Sequence, residues 1–351
     1  MGEYKVDCQR TNRREFLGLV VGSAAIGLAP ASLQSRDNLF RLKYIVASSM
    51  YGRLPLAHVL GEIKKTGAER IDIWPERHAN HREQIEAIGH QKFAAMLKQH
   101  KVKVGVLTHF DVGPFDLQAE MKVAKRFGGS MIICGSRGPR DLKGDALKAA
   151  IREFIEKIKP HVAIAEEIGV AIGIENHSSS LIHSPDSIRW FAEFNASRHL
   201  GIALAPYHLP QNSGLIANLI SDLGEHIMHF YAWQYGMGCH KKLPKEQELL
   251  QMPGRGRLDF APIIASLREI NYKGWTEVFM HPVPRGIPIM PTAADVSEEI
   301  NRARRYLEKC KDKANGEVTH RSKNSDLNRT LAYGIRREGC TAHRREAPGL
   351  S

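Results

Sequence analysis

Short apolar runs rich in β-branched residues alternate along this chain with longer stretches whose apolar positions recur every three or four residues. The first rhythm predicts buried strands and the second amphipathic helices. Their regular alternation predicts a parallel α/β sheet. Strands are predicted at Leu42–Ala47, Arg70–Trp74, Lys103–Leu107, Ser130–Cys134, Val170–Glu175, Leu200–Leu204, Ile227–Ala232 and Trp275–Phe279. Helices are predicted at Leu56–Lys65, His81–Gln99, Leu117–Arg126, Asp145–Ile168, Pro185–Glu193, Leu215–Leu223, Phe260–Ile270 and Ala294–Lys309. Gly67 and Gly169 follow helices, where a left-handed cap favours glycine, and Ser184-Pro185 and Asp259 stand at helix starts. Eight strand–helix units over residues 40–311 predict a single-domain (β/α)8 TIM barrel, with an open doubly wound sheet as the runner-up. No glycine-rich phosphate loop follows any predicted strand, which argues against a nucleotide site.

Barrel chemistry gathers at the C-terminal ends of strands, where successive residues alternate inward and outward. Ile172 and Ile174 share one parity, so Glu175 and His177 share the inward one. Met228 and Phe230 leave His229 and Tyr231 inward, Glu277 falls opposite Val278, and Asp72 falls opposite Ile71 and Ile73. Just beyond strand ends stand Trp74, His78, His81, His109, Arg137 and His281, which are candidate substrate-binding groups together with Asp72 and His177. A lone Glu or His at a strand end is as often a rim or core residue as a functional one, but convergence of several at one mouth points to a site. The connection from Trp233 to Leu258 is long for a compact domain, as lids and binding rims are.

The composition is that of a soluble globular chain: 351 residues, 42% hydrophobic and 25% charged. The net charge of +12 is spread without a basic run or interleaved aromatics, so it predicts a solvated surface and no nucleic-acid partner. Near the start, Arg13-Arg14 precedes a weakly apolar stretch, Leu17 to Leu28, and the small-residue pattern Ala29-Pro30-Ala31. That stretch is shorter than a membrane span, and the three features resemble a Tat export signal over residues 1–31. Export would deliver a folded periplasmic protein with no membrane attachment. Five cysteines show no metal-like spacing. Cys8 would leave with the signal, and Cys134 is expected in a buried strand. From about residue 312 the pattern dissolves into polar, basic residues, and a disordered tail is expected over 312–351. The sequence leaves homo-oligomerisation open.

The run Gly169-Val170-Ala171-Ile172-Gly173-Ile174-Glu175-Asn176-His177 resembles the fifth-strand segment of the sugar phosphate isomerase/epimerase family, which shares the xylose-isomerase-like barrel with the AP endonuclease family. Leu200 through His208 resembles its sixth strand and His229-Phe230-Tyr231 its seventh. The run Pro253 through Phe260, followed by Gly274-Trp275-Thr276-Glu277, resembles its last loop, helix and strand. The resemblance covers about residues 40–310. It implies a divalent metal such as Mn2+, Mg2+, Zn2+ or Co2+, held by two glutamates, an aspartate and a histidine. Glu175 and Glu277 match the glutamates. Ala205 stands where the aspartate is expected, with His208 kept, and Tyr231 stands where the ligand histidine is expected, with His229 kept.

Isomerising or epimerising a keto-sugar requires removing a proton beside a carbonyl and returning it nearby, which two carboxylates can do. Glu175 and Glu277 are the expected acid/base pair, with Tyr231 as a proton or hydrogen-bond donor. Glu175, His208, His229 and Glu277 are the expected ligands of an altered metal site. A small carbohydrate is the expected partner. The same groups suit a keto-sugar lyase, and the two lost ligands suit a barrel that merely binds carbohydrate. A nuclease is disfavoured by the missing His- and Asp-rich set at the sixth and seventh strands.

Overall fold

A computed structural model of the protein describes residues 39–335. The export signal read at residues 1–31, Cys8 and the tail beyond 335 lie outside the described residues. Every predicted strand is present, within a residue or two of its expected ends. They are β1 (Lys43–Ala47), β2 (Arg70–Ile73), β3 (Lys103–Thr108), β4 (Met131–Gly135), β5 (Ala171–Glu175), β6 (Leu200–Leu204), β7 (Ile227–Ala232) and β8 (Trp275–Val278). They close into one parallel barrel in chain order, with β8 returning to β1 through Tyr44 opposite Thr276 and Ile45 opposite Glu277. The open-sheet alternative is thereby set aside.

The helices are α1 (Leu56–Ile63), α2 (His81–Ile88), α3 (His90–His100), α4 (Gln118–Arg126), α5 (Gly144–Ile168), α6 (Pro185–Phe194), α7 (Ser213–Leu223), α8 (Lys245–Glu248), α9 (Ala261–Glu269) and α10 (Ala293–Ile335). One helix was expected over His81–Gln99. Two form, because Gly89 adopts φ +81 and ψ 150, which breaks the helical hydrogen-bond ladder. Expected caps are in place: Ser184 and Ser187 form a capping box on α6, and Asp259 accepts from the Ala261 N–H at the start of α9. The sequence reading did not mark α8, a single turn inside the long β7–β8 connection.

The last helix reaches beyond the predicted Lys309 to Ile335, through the first part of the segment expected to be disordered. Its anchored portion repeats buried Val296, Ile300, Ala303, Leu307, Cys310 and Ala314 at alternating spacings of three and four, the stripe needed to seat it on α1 and α9. A buried polar contact fixes its angle, with Ser297 within 3.0 Å of the Tyr51 hydroxyl and donating to Glu62 at 2.8 Å. None of the described helices is long and apolar enough to cross a membrane.

Strand parity follows the sequence expectation. Ile172 and Ile174 are fully buried beneath the helices, while Gly173 and Glu175 turn into the barrel. Cys134 is a fully buried strand residue. Gly201 in β6 permits a close strand approach: a Cβ there would stand 2.6 Å from Met228 and 2.7 Å from the His226 carbonyl.

Candidate active site

A cavity of about 320 Å3 opens at the C-terminal ends of the strands. Of the predicted residues, Trp74, His78, Arg137, Glu175, His177, His208 and His281 line it. The sequence reading missed Arg77, Phe110, Gly135, Ser179, Ser180 and Trp233, which also line it. The rim is built by loops held in place from below. Gln251 in the β7–β8 connection accepts from Trp233 Nε1 at 3.1 Å and donates to the His281 carbonyl at 3.0 Å, joining two walls through one amide. Trp74 stacks on Phe279 at 5.3 Å, and His78 stacks on His281 at 4.6 Å. The cavity thus has aromatic surfaces flanked by imidazoles, a combination that suits the apolar C–H faces and polar hydroxyl edges of a sugar ring.

Glu175 is 4% exposed and is the one carboxylate on the wall among the described residues. Burial raises its pKa to about 7, partly offset by His177 and His229. Its Oε1 lies 3.4 Å from His208 Nε2, and both ring nitrogens of His208 lack a hydrogen-bond partner. Burial, reinforced by nearby His240, lowers the His208 pKa to about 3, so the ring is neutral. The His177 ring packs tilted against His208, with centroids 4.1 Å apart. Its Nδ1 accepts from the Ser179 backbone N–H at 3.2 Å, which leaves Nε2 as the protonated, donating nitrogen. Burial also lowers the His177 pKa to about 4.

Four predicted residues sit behind this lining, inside the barrel. Asp72 is fully buried, and its Oδ2 accepts from Trp74 Nε1 at 2.6 Å and Thr108 Oγ1 at 2.7 Å. Tyr231, Glu277 and His229 are buried at 1%, 0% and 0% exposure, and none touches the cavity. Glu277 and Tyr231, expected to act beside Glu175, therefore do not line the cavity with it. They occupy the layer beneath, where side chains from alternate strands fill a barrel. Glu277 Oε2 and His229 Nε2 approach to 3.3 Å without hydrogen-bond alignment, and the Tyr231 hydroxyl lies beside the Thr108 side chain without regular hydrogen-bond geometry. Burial, with Glu175 adding to it, holds Glu277 well above the carboxylate range. Burial followed by Glu175, Glu277 and Asp72 holds the Tyr231 phenol well above its own. The two glutamates therefore share one electrostatic neighbourhood, one at the surface of the cavity and one below it.

His81 and His109 belong to the scaffold. His109 Nδ1 lies 3.9 Å from Glu120, which is itself paired with Arg82 at 2.8 Å, so it faces α4 and not the cavity. His81 is fully buried at the start of α2, its Nε2 donating to the Leu54 carbonyl at 2.9 Å. Burial lowers its pKa to about 4 from the usual 6.5. A depressed imidazole contributes stability that is complete above pH 6.5 and drains away as pH falls toward 4, by about 3 kcal/mol in all. Gln at this position keeps an N–H donor but does not titrate. In urea unfolding at pH 7 and pH 4.5, the natural protein should lose more stability than His81→Gln. An equal loss would show that His81 is free to protonate in the folded state.

The family resemblance implies a divalent metal, which the residues present can be tested against. Unpartnered nitrogens on His208 and His229 and unpartnered oxygens on Glu277 are the kind of donors a metal would use. However, they form two separate pairs, Glu175–His208 and Glu277–His229, and among the described residues no three His, Cys, Asp or Glu side chains gather closely enough to share an ion. Ala205 offers no side-chain donor, and both its backbone polar groups are taken by the Asn176 amide, at 2.7 and 3.1 Å. The phenol of Tyr231 stays protonated. The donor set does not fit the four-ligand metal site.

A family model described as a xylose isomerase-like TIM barrel matches residues 60–310. No curated protein matches the chain in sequence. Among solved structures, an L-ribulose 3-epimerase is similar with a TM-score of 0.60 and 13% identity, over 80% of this chain and 98% of its own. A protein named IolI, described with a zinc atom, gives 0.59 and 16% over 76% and 98%. A 3-keto-D-glucoside 4-epimerase from E. coli gives 0.54 and 16% over 77% and 100%. At these identities the likeness establishes the shared fold.

Proposed function

The chain belongs to the xylose isomerase-like TIM barrel family, and from that premise we propose that it is an isomerase- or epimerase-type enzyme. It acts on a small keto-sugar or keto-sugar derivative by moving a proton beside the carbonyl. The observation that carries this reading is the position of Glu175, a carboxylate on the wall of an aromatic and imidazole-lined cavity with a pKa of about 7. A carboxyl near neutrality can both take and return a proton, which is what the reaction asks of it. The sugar epimerases among the structural neighbours add support at the level of the fold.

In this reading the Glu175 carboxylate removes the C–H proton beside the carbonyl, and the electron pair passes through the carbon framework to the carbonyl oxygen. The enediolate oxygen accepts a hydrogen bond from a neutral imidazole, for which the protonated Nε2 of His177 is suited. Return of the proton by Glu175 to the neighbouring carbon, with the hydroxyl proton of the first carbon passing to the enediolate oxygen, completes an isomerisation. Delivery of a proton from solvent to the opposite face of the original carbon, with Glu175 releasing its own proton to solvent, completes an epimerisation. Asp72, Tyr231 and Glu277 support the site from below. Trp74, itself anchored through Asp72, offers a face to the sugar ring. With the export signal read at residues 1–31, the substrate is met outside the cytoplasm.

Ketoses incubated with the enzyme in D2O test this directly. Deuterium should enter the position beside the carbonyl of at least one sugar, on the same timescale as any isomer formation, as read by NMR. Saturable binding without exchange or turnover would replace the enzyme by a carbohydrate-binding barrel.

A further inference from the structure

We propose that the cavity selects a sugar bearing a carboxylate, which is recognised by the guanidinium groups of Arg77 and Arg137. This deepens the reading of the cavity as a sugar site and rests on it. Elsewhere in the fold, guanidinium groups meet carboxylates: Arg82 pairs with Glu120, Arg189 with Asp222, and Arg255 with Glu299. Around the cavity they do not. Arg77 lines it with no hydrogen bond or ion pair among the described residues. Arg137 lines it with its guanidinium turned to the backbone carbonyl of Asp111, a neutral acceptor. Arg285, just outside, donates to the carbonyls of Cys239 at 3.1 Å and Pro282 at 2.6 Å and to the Cys239 sulfur at 3.0 Å. The carboxylates facing these three cations are Glu175 on the wall and Asp111, exposed at the rim.

Arg137 is also built for its place. Its backbone holds φ +54, a left-handed conformation that costs a branched-free residue about 1 kcal/mol. Its carbonyl is pinned by the Leu181 N–H at 2.8 Å and by Ser136 Oγ at 3.2 Å. The imidazoles report the resulting field: after burial, Arg285 and Arg77 are the largest influences lowering the pKa of His78, and Arg285 also lowers that of His281. The rest of the wall is rich in donors. Ser179 Oγ is 2.7 Å from His177 Nδ1, and Ser180 Oγ donates to the His177 carbonyl at 3.0 Å. Around the cavity three guanidinium groups outnumber the two carboxylates, so a ligand that brings negative charge is favoured. A planar carboxylate matches the guanidinium fork. A phosphate would ordinarily be met by a glycine-rich loop or helix-start cradle, which no strand end of this sequence supplies.

Calorimetric binding of matched sugars to the full-length protein decides the matter. The probes are D-fructose, D-fructuronate and D-fructose 6-phosphate, with the corresponding tagatose set. At least one ketouronate should bind about tenfold or more tightly than its neutral ketose. That preference should shrink in Arg77→Ala, be partly kept in Arg77→Lys, and weaken at high salt. Equal affinity for acid and neutral sugar overturns the proposal and leaves the sugar reading standing. A phosphate preferred over the carboxylate overturns the choice of anion. Binding of none of the probes sinks both the proposal and the sugar reading.

Discussion

Glu175→Gln should lower turnover by about a thousandfold, the usual reach of a single positioned acid/base group, while making the protein more stable at pH 8. The amide preserves the shape of the side chain but can neither take nor return a proton, so deuterium exchange into a ketose should fall with turnover. The stability gain follows from the same burial that tunes the carboxyl. Its pKa is about 7 in the fold, against about 4.5 in the unfolded chain. Between those values the folded protein keeps a proton that the unfolded chain has released, so stability falls as pH rises through that window. Above pH 7 the full penalty is present, about 3 kcal/mol for a shift of this size. Glutamine carries no such penalty. Urea unfolding should therefore show the variant ahead of the natural protein at pH 8 and level with it at pH 4. Normal exchange activity in the variant would remove Glu175 from the mechanism, and equal stability at both pH values would mean that its carboxyl ionises freely within the fold.

The barrel was legible in the sequence because both of its rhythms are strong. Strands such as β5 are apolar on the helix-facing parity and terminate in a polar residue, and the caps at Gly67, Gly169 and Ser184 mark the helix ends. The helix break at Gly89 was missed because the apolar pattern continues on both sides, and only the backbone conformation of that glycine interrupts it. The extension of α10 was missed because its residues after Ala314 have polar composition, which says little about whether a helix already seated on α1 and α9 will continue.

The site was legible in part for a geometric reason. Parity identifies which side chains turn inward but not at which depth they lie, and depth separates Glu175, on the cavity wall, from Glu277, Tyr231 and His229 below it. His109 directly follows β3 and His81 stands in the same β2–α2 stretch as His78, yet His81 donates to a backbone carbonyl and His109 faces Glu120. Spacing alone does not tell a rim imidazole from a scaffold one. The aromatic surfaces carried a usable signal that was read only at Trp74: Trp74, Trp233 and Phe279 each occupy the first position after a strand, and Phe110 the second. In a closed barrel those positions ring the same mouth.

Ala205→Asp combined with Tyr231→His should convert the barrel interior into a divalent-cation site, whereas the natural chain should carry well under one equivalent of metal after purification without chelator. In the natural chain the space between Glu175 and Glu277 is served by a protonated phenol, and at Ala205 there is no side-chain donor at all. Three carboxyls, Asp72, Glu175 and Glu277, meet one another across this interior with raised pKa values, burial being the main cause in each. Burial disfavours their charged forms, and among the described residues none of the three is paired with a Lys or Arg. Adding a carboxylate and an imidazole at the two altered positions would bring the donor set to four. An ion would then stabilise the ionised forms, releasing the protons the carboxyls now carry. Affinity in the double variant should accordingly rise with pH, with proton release visible as a buffer-dependent binding enthalpy for Zn2+ or Mn2+. Thermal unfolding of that variant should move upward on adding metal, because an ion that binds the folded state alone stabilises it. A stoichiometric ion retained by the natural protein through desalting would reverse this account, since the pairs Glu175–His208 and Glu277–His229 would then have to close around it.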